Sequence, residues 1–116
     1  MERLHDERGF SHFFVVDNTF NMPAQHALEF CAELGRRKLS VQWTAYVTPA
    51  GLTREVVFAM AHAGCTSVDL GTDAATPTTL AGLRKSFSIA DIEAACACLR
   101  EARILFSHSL ILGAPG

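Results

Sequence analysis

His12-Phe13-Phe14-Val15-Val16-Asp17-Asn18-Thr19 sets an unbroken run of aromatic and β-branched residues directly against a polar cluster. Such a run reads as a strand buried on both faces that ends at a loop. A helical pattern follows. Pro23 is an early-turn signal, and Ala24, Ala27, Leu28, Cys31 and Leu34 recur at helical spacing before Gly35 and the basic Arg36-Arg37-Lys38. Together these stretches make one strand-helix unit.

Outward from it the unit repeats. Leu39 to Val47 predicts a second strand, with Val41, Trp43, Ala45 and Val47 on one alternating face, stopped by Pro49-Ala50-Gly51. Thr53 is placed to cap a second helix with an apolar stripe of Val56, Val57, Met60 and Ala61, and Gly64 stands where a left-handed residue ends helices. Thr66 to Leu70 predicts a third strand running into Gly71-Thr72-Asp73, and Thr76-Pro77 opens a short helix through Leu83. Ser88-Ile89-Ala90-Asp91 has the form of a capping box with Asp in place of Glu, leading a longer helix to about Arg103. Ile104 to Leu112 is the fourth strand, and because no charge interrupts Ile104 to Gly116 it too reads as covered on both faces.

Four strands alternating with helices imply an α/β fold with parallel pairing through right-handed crossovers. Two architectures use that order. A small doubly wound domain fits the length, whereas a full (β/α) barrel of the TIM type needs about 250 residues, so this chain supplies roughly half of one. Leu112-Gly113-Ala114-Pro115-Gly116 follows a buried strand without the helix that should cover it, which favours a partial barrel truncated at both ends. Residues 1–11 then read as the end of an upstream helix or loop, and 12–116 as the partial barrel.

Composition narrows the function. Of 116 residues, 49% are hydrophobic and 19% charged, the balance of a globular chain of one domain. The formal charge of -2 leaves no broad basic field, so neither nucleic acid nor an anionic membrane is an expected partner. No apolar run approaches the ~18 residues of a bilayer span, and Met1 to Arg8 lacks the apolar core of a signal peptide, which makes the cytoplasm the expected compartment. Cys31, Cys65, Cys96 and Cys98 include no CxxC pair. Cys96 and Cys98 point about 200° apart on a helix, so buried small hydrophobes are the preferred reading over a disulfide or metal site. His5, His12, His26, His62 and His108 show no metal-ligand spacing.

In either architecture ligands bind at the carboxyl ends of the strands. The first exit offers Asp17, Asn18, Thr19 and Phe20, and the second Trp43, Thr44, Tyr46 and Thr48. Gly71, Thr72 and Asp73 mark the third, Leu112 and Gly113 the fourth. Polar side chains there can hydrogen-bond a ligand, and glycines allow close approach, although tight turns and caps use the same residues. His108 either faces the interior for acid-base chemistry or is a hydrogen-bonded core or surface histidine, the blander role being favoured. Arg84 and Lys85 either reach an anionic ligand or form a solvated helix end, again with the second favoured.

Taken in order, Val15-Val16-Asp17-Asn18-Thr19-Phe20-Asn21, Gln42-Trp43-Thr44-Ala45, Ala63-Gly64-Cys65, Leu70-Gly71-Thr72-Asp73 and Leu112-Gly113-Ala114-Pro115-Gly116 resemble successive strands of a radical S-adenosylmethionine (SAM) enzyme. The cobalamin-binding class, often labelled Fe-S oxidoreductases, is the nearest in flavour, and Thr79 to Ser88 is similar to its Leu, Lys and Ser or Thr pattern. The resemblance covers residues 12–116. It implies strands two to five of a partial TIM-type barrel, with SAM lying across the strand exits and a [4Fe-4S] cluster holding its amine and carboxylate. Cleavage of SAM would yield a 5'-deoxyadenosyl radical; cobalamin is a further possible cofactor. By the same resemblance Asp17 and Asn18 face the methionine amine, while Trp43, Thr44 and Tyr46 line the barrel near the cofactor. Asp73 falls where the family often has a glutamate facing the ribose, Gly71 beside it counts among the cofactor-binding residues, and Leu112 and Gly113 fall near the adenine.

The sequence departs from that family in three places. The CxxxCxxC loop that holds the cluster is absent, so the chain alone is expected to be inactive, with the missing strand and loop upstream of Met1. Asp73-Ala74 stands where Glu-Ser is usual, and Val47-Thr48-Pro49 replaces a basic residue beyond the second exit. A competing reading is a non-catalytic α/β binding or self-association module, because an open half barrel exposes strand edges and apolar surface. A phosphoacceptor receiver domain is weaker, since no acidic pair accompanies Asp17.

Overall fold

The computed structural model describes residues 1–115. A short helix α1 (Glu2–Arg8) ends at Gly9, whose φ of 71° is left-handed and whose N–H returns to the carbonyl of His5. Then β1 (His12–Val15), α2 (Ala24–Arg36), β2 (Gln42–Val47), α3 (Arg54–His62), β3 (Cys65–Asp73), α4 (Pro77–Gly82), α5 (Ile89–Glu101) and β4 (Leu105–Leu110) follow. The local signals are present as bonds. Thr53 and Thr76 accept from the N–H groups of Val56 and Thr79, and Ser88 with Asp91 closes the full capping box before α5. Gly64, at φ 90°, is required for a second reason: a Cβ there would lie 2.1 Å from the carbonyl oxygen of Val41.

All three strand pairings are parallel, and the strands lie side by side in chain order. A doubly wound sheet must reverse its order, so this topology excludes it. With right-handed crossovers, sequential order places the crossover helices on one face, where α2 packs on α3 and α3 on α5. The fold is therefore an α/β segment of a parallel barrel with an outer helix layer.

The core lies between that layer and the sheet. Trp43, Ala45 and Val47 of β2 and Val68 and Leu70 of β3 are buried against Ala27, Val56, Val57, Met60 and Leu99. Burial of that apolar area, at about 25 cal/mol per Å², is the main favourable term holding the layers together. Trp43 sits at its centre, 1% exposed, with Phe20 and Phe30 at 4.9 and 5.3 Å, and its indole N–H donates to the carbonyl of Ala63 at 2.8 Å.

Two expectations are corrected. The apolar runs of β1 and β4 are not covered on both faces: Phe14 is 51% and Leu105 74% exposed. These are the edge strands, and among the described residues no layer covers the inner face of the sheet, so an unbroken apolar run here marks a surface. The third strand is also longer than its apolar pattern, reaching Asp73 through a register shift after Leu70. Among the described residues no helix is long and apolar enough to cross a membrane.

Candidate functional site at the strand exits

Strand alternation decides which side chains face the open inner side. Phe14, Thr44, Ser67 and Leu105 are register partners in one row across the sheet, and Tyr46, Asp69 and Ser107 in the next. A bulge near Trp43, where Thr66 is the extra residue of β3, brings the two central strands into this alignment.

Above the second row a polar cavity of about 360 Å³ opens at the strand exits. Asn18 and Thr19 line it from the loop after β1, Tyr46 from β2 with Thr48 just beyond it, and Asp69, Gly71 and Asp73 from β3; Ser109 closes it from β4. The loop holding Asn18 and Thr19 is fixed from below. Asn21 is fully buried: its amide N–H₂ donates to the carbonyls of Thr48 and Ala50 at 3.0 Å each, and its Oδ1 accepts the Thr48 N–H at 2.9 Å. Phe20 N–H adds a bond to the Tyr46 carbonyl at 2.9 Å, while its ring fills the core beside Trp43. One buried amide thus locks the first exit to the second.

Asp73 is held at both ends. Its backbone is left-handed, with φ 62°, a conformation Asp tolerates better than most residues, and its carbonyl accepts the Ile111 N–H at 2.9 Å. Its carboxylate forms an ion pair with Lys85, which reaches over from the loop between α4 and α5. The residue is 20% exposed at its side chain and Lys85 30%, so this pair is better shielded than the surface ion pairs of α1, α2 and α3. With Asp69 included, the cavity carries two carboxylates against one ammonium. Such a lining suits a ligand with hydroxyls and a positive centre.

Of the residues expected at the site, Asn18, Tyr46, Gly71 and Asp73 converge on this cavity. Thr44 lies one row deeper on the same face. Four do not converge. Trp43 faces the helices, because residues one apart on a strand point to opposite sides and Thr44 takes the inner one. Asp17 turns toward α2 and pairs with His26 at 3.4 Å, both about half exposed. Leu112 is 93% exposed and Gly113 has a left-handed φ of 79°; neither lines the cavity. Gly116, the last residue of their motif, lies outside the described residues.

His108 takes the blander of its two roles. It faces the helix layer, with Nδ1 2.6 Å from the Thr72 hydroxyl and Nε2 3.7 Å from the Cys96 thiol. Lys85 takes neither of the two roles weighed for it: its ammonium pairs with Asp73 across the exits. Asn21, Asp69 and Ser109 were not read as site residues. Inner-face alternation from Gly71 would have found Asp69.

The cysteines do not fit an iron-sulfur cluster. Burial pushes the Cys65 thiol up to about 12, with Cys31 adding to the effect, and burial alone pushes Cys31 up to about 11. Cys96 and Cys98 sit two apart on α5, and among the described residues no three His, Cys, Asp or Glu side chains are grouped to hold a metal.

The fold and cavity define a class: a parallel half barrel with a polar mouth at its strand exits. No protein-family model matches the chain. The chain is 30% identical over 117 residues to the anaerobic magnesium-protoporphyrin IX monomethyl ester cyclase of Cereibacter sphaeroides, covering 97% of itself and 19% of that protein. It is 27% identical over 85 residues to an uncharacterized methyltransferase of Pyrococcus horikoshii, covering 73% of itself and 18% of that relative. All of it superposes on the radical SAM methyltransferase TsrM from Kitasatospora setae, solved with cobalamin and a [4Fe-4S] cluster bound, with TM-score 0.92 and 26% identity over 24% of that chain. The cobalamin-dependent SAM radical enzyme OxsB shares the fold at TM-score 0.79 and 15% identity, over 95% of this chain and 18% of that one. The chain is homologous to the cobalamin-dependent radical SAM enzymes, and spans about a fifth of the length of the curated relatives it matches.

Proposed function

We propose that this chain is the barrel segment of a radical SAM enzyme and contributes the strand-exit part of its SAM site. The observation that carries the reading is the polar cavity formed by residues at the exits of all four strands, on a fold whose whole length superposes on 24% of the TsrM chain. SAM supplies, when bound, either a 5'-deoxyadenosyl radical or a methyl group. This chain's residues bind and orient. Asp73, held by Lys85, offers its carboxylate to a ribose diol or cationic group; Asn18 and Thr19 offer an amide and a hydroxyl from the locked first exit. Gly71 keeps the cavity floor open.

The cluster ligands belong elsewhere in the complete protein, since the four thiols here do not suit them, and cobalamin is a further cofactor consistent with the solved neighbours. The test is binding of S-adenosylhomocysteine to the full-length protein by calorimetry. Asp73→Ala is expected to weaken it about tenfold, as loss of a charge-assisted hydrogen bond does. Unchanged affinity would count against the assignment.

The inner face supports a second reading, self-association of the isolated chain. Phe14, Val16 and Leu105 are exposed, and β1 and β4 are unpaired on their outer edges. Sedimentation at increasing concentration should show a dimer or larger; a clean monomer refutes it.

A further inference from the structure

One row below the strand exits, the inner face carries a carboxylate that belongs to two cavities at once. Asp69 stands in the middle of β3, between Tyr46 and Ser107 in the sheet register. It contributes to the exit cavity and also to a second cavity of about 380 Å³ deeper on the same face. The deeper cavity is walled by Phe14 and Leu105, with the hydroxyls of Thr44, Ser67 and Ser107 at its floor. Phe14 and Tyr46 meet edge to face at 5.0 Å, which fixes one aromatic wall.

The electrostatics of Asp69 are one-sided. Ser109 donates to its Oδ1 at 2.6 Å, and among the described residues no Lys, Arg or His lies within ion-pair distance of it. Lys85 is engaged by Asp73. Oδ1 is engaged by Ser109, and the second carboxylate oxygen stands between the aromatic and aliphatic walls with acceptor capacity to spare.

We propose that Asp69 is a specificity-determining residue for the substrate, and that the deeper cavity takes a compound with a flat apolar body and a cationic amine or strongly donating N–H group. The body lies between Phe14 and Leu105, and the donor reaches the free oxygen of Asp69. The hydroxyl floor receives smaller polar substituents. This inference rests on the SAM-site reading above, because it places the substrate directly beneath the exit cavity.

The test compares two probes with the same indole body and opposite charge on the full-length protein, tryptamine and indole-3-propionate, with S-adenosylhomocysteine measured in parallel. Wild type should bind tryptamine at least tenfold more tightly than the anion. Asp69→Asn, which keeps shape and the contact with Ser109, should weaken tryptamine about tenfold or more and leave indole-3-propionate no weaker than in wild type. Ser107→Ala, a milder change beside Asp69, should keep the preference for the amine. The inference is overturned if Asp69→Asn leaves tryptamine affinity unchanged, if the anion binds as well as the amine, or if tryptamine fails to bind wild type. Absent binding of S-adenosylhomocysteine to wild type would instead overturn the SAM-site reading, whatever the amine does.

Discussion

Replacing Asn21 by Ala should be among the most damaging changes to a polar residue in this chain, although Asn21 touches no ligand. Its amide and carbonyl groups make three hydrogen bonds to the backbone of the second exit, all between 2.9 and 3.0 Å, at zero exposure. Each such bond contributes about 1 kcal/mol net, and its removal takes the partner from two carbonyls and one N–H of a part-buried turn, so the loss is about 3 kcal/mol. For a chain of this size that lowers the unfolding midpoint by roughly 10 °C or more. The chain has one tryptophan, and Trp43 sits directly under the loop against Phe20, so its emission reports this region during urea or thermal unfolding. Asn18→Ala, at the rim of the same loop, should change stability by less than about 0.5 kcal/mol and serves as the control. A loss below 1 kcal/mol for Asn21→Ala, with the native emission unchanged, would refute the view that this amide locks the two exits together.

Two further outcomes follow from the same structure. Because burial raises the Cys31 and Cys65 thiols to about 11 and 12, both stay protonated in the folded state when the unfolded thiols ionise near 9. The folded state then binds more protons, so stability is intact below about pH 9 and declines as the pH rises toward 11; denaturant midpoints across that range would show it, and a flat profile would contradict the burial. Gly71→Ala should fold normally, since its Cβ would meet only the Val47 carbonyl at 3.5 Å, yet it narrows the exit cavity. Weaker S-adenosylhomocysteine binding with an unchanged unfolding midpoint is the expected pair of results.

Much of the fold was legible because its determinants are local. The alternation Val41, Trp43, Ala45, Val47 became the buried stripe of β2, and Thr53, Thr76 and the Ser88–Asp91 box became caps. Where reading failed, the deciding contact was distant. The run His12 to Val16 is as apolar as a two-sided core strand, and only the neighbour on its other edge determines whether it is one. Trp43 shows a conflict visible in advance: the stripe that buries it against the helices excludes it from the inner face that a cofactor would use. Asp69 shows the converse, a charge inside an apolar strand whose meaning emerges only when β2 and β4 align with it. Lys85 was hidden because its role depends on an ion pair across twelve residues of loop and short helix.

The strictly sequential order of the four strands also shapes how the chain comes apart and together. Each strand-helix unit contacts mainly the units before and after it, so the free energy holding any strand grows with the number of neighbours on its two sides. β2 and β3 each have two, and share the bulk of the core; β1 and β4 have one. Opening should therefore run inward from both edges, with the central pair as the last unit to unfold and the natural nucleus on the way back. The exit cavity draws on all four strands, so it exists only when the outermost pairings have closed. Ligand bound there would act as a clasp on the frayed edges, tying the most labile parts of the sheet to its most durable.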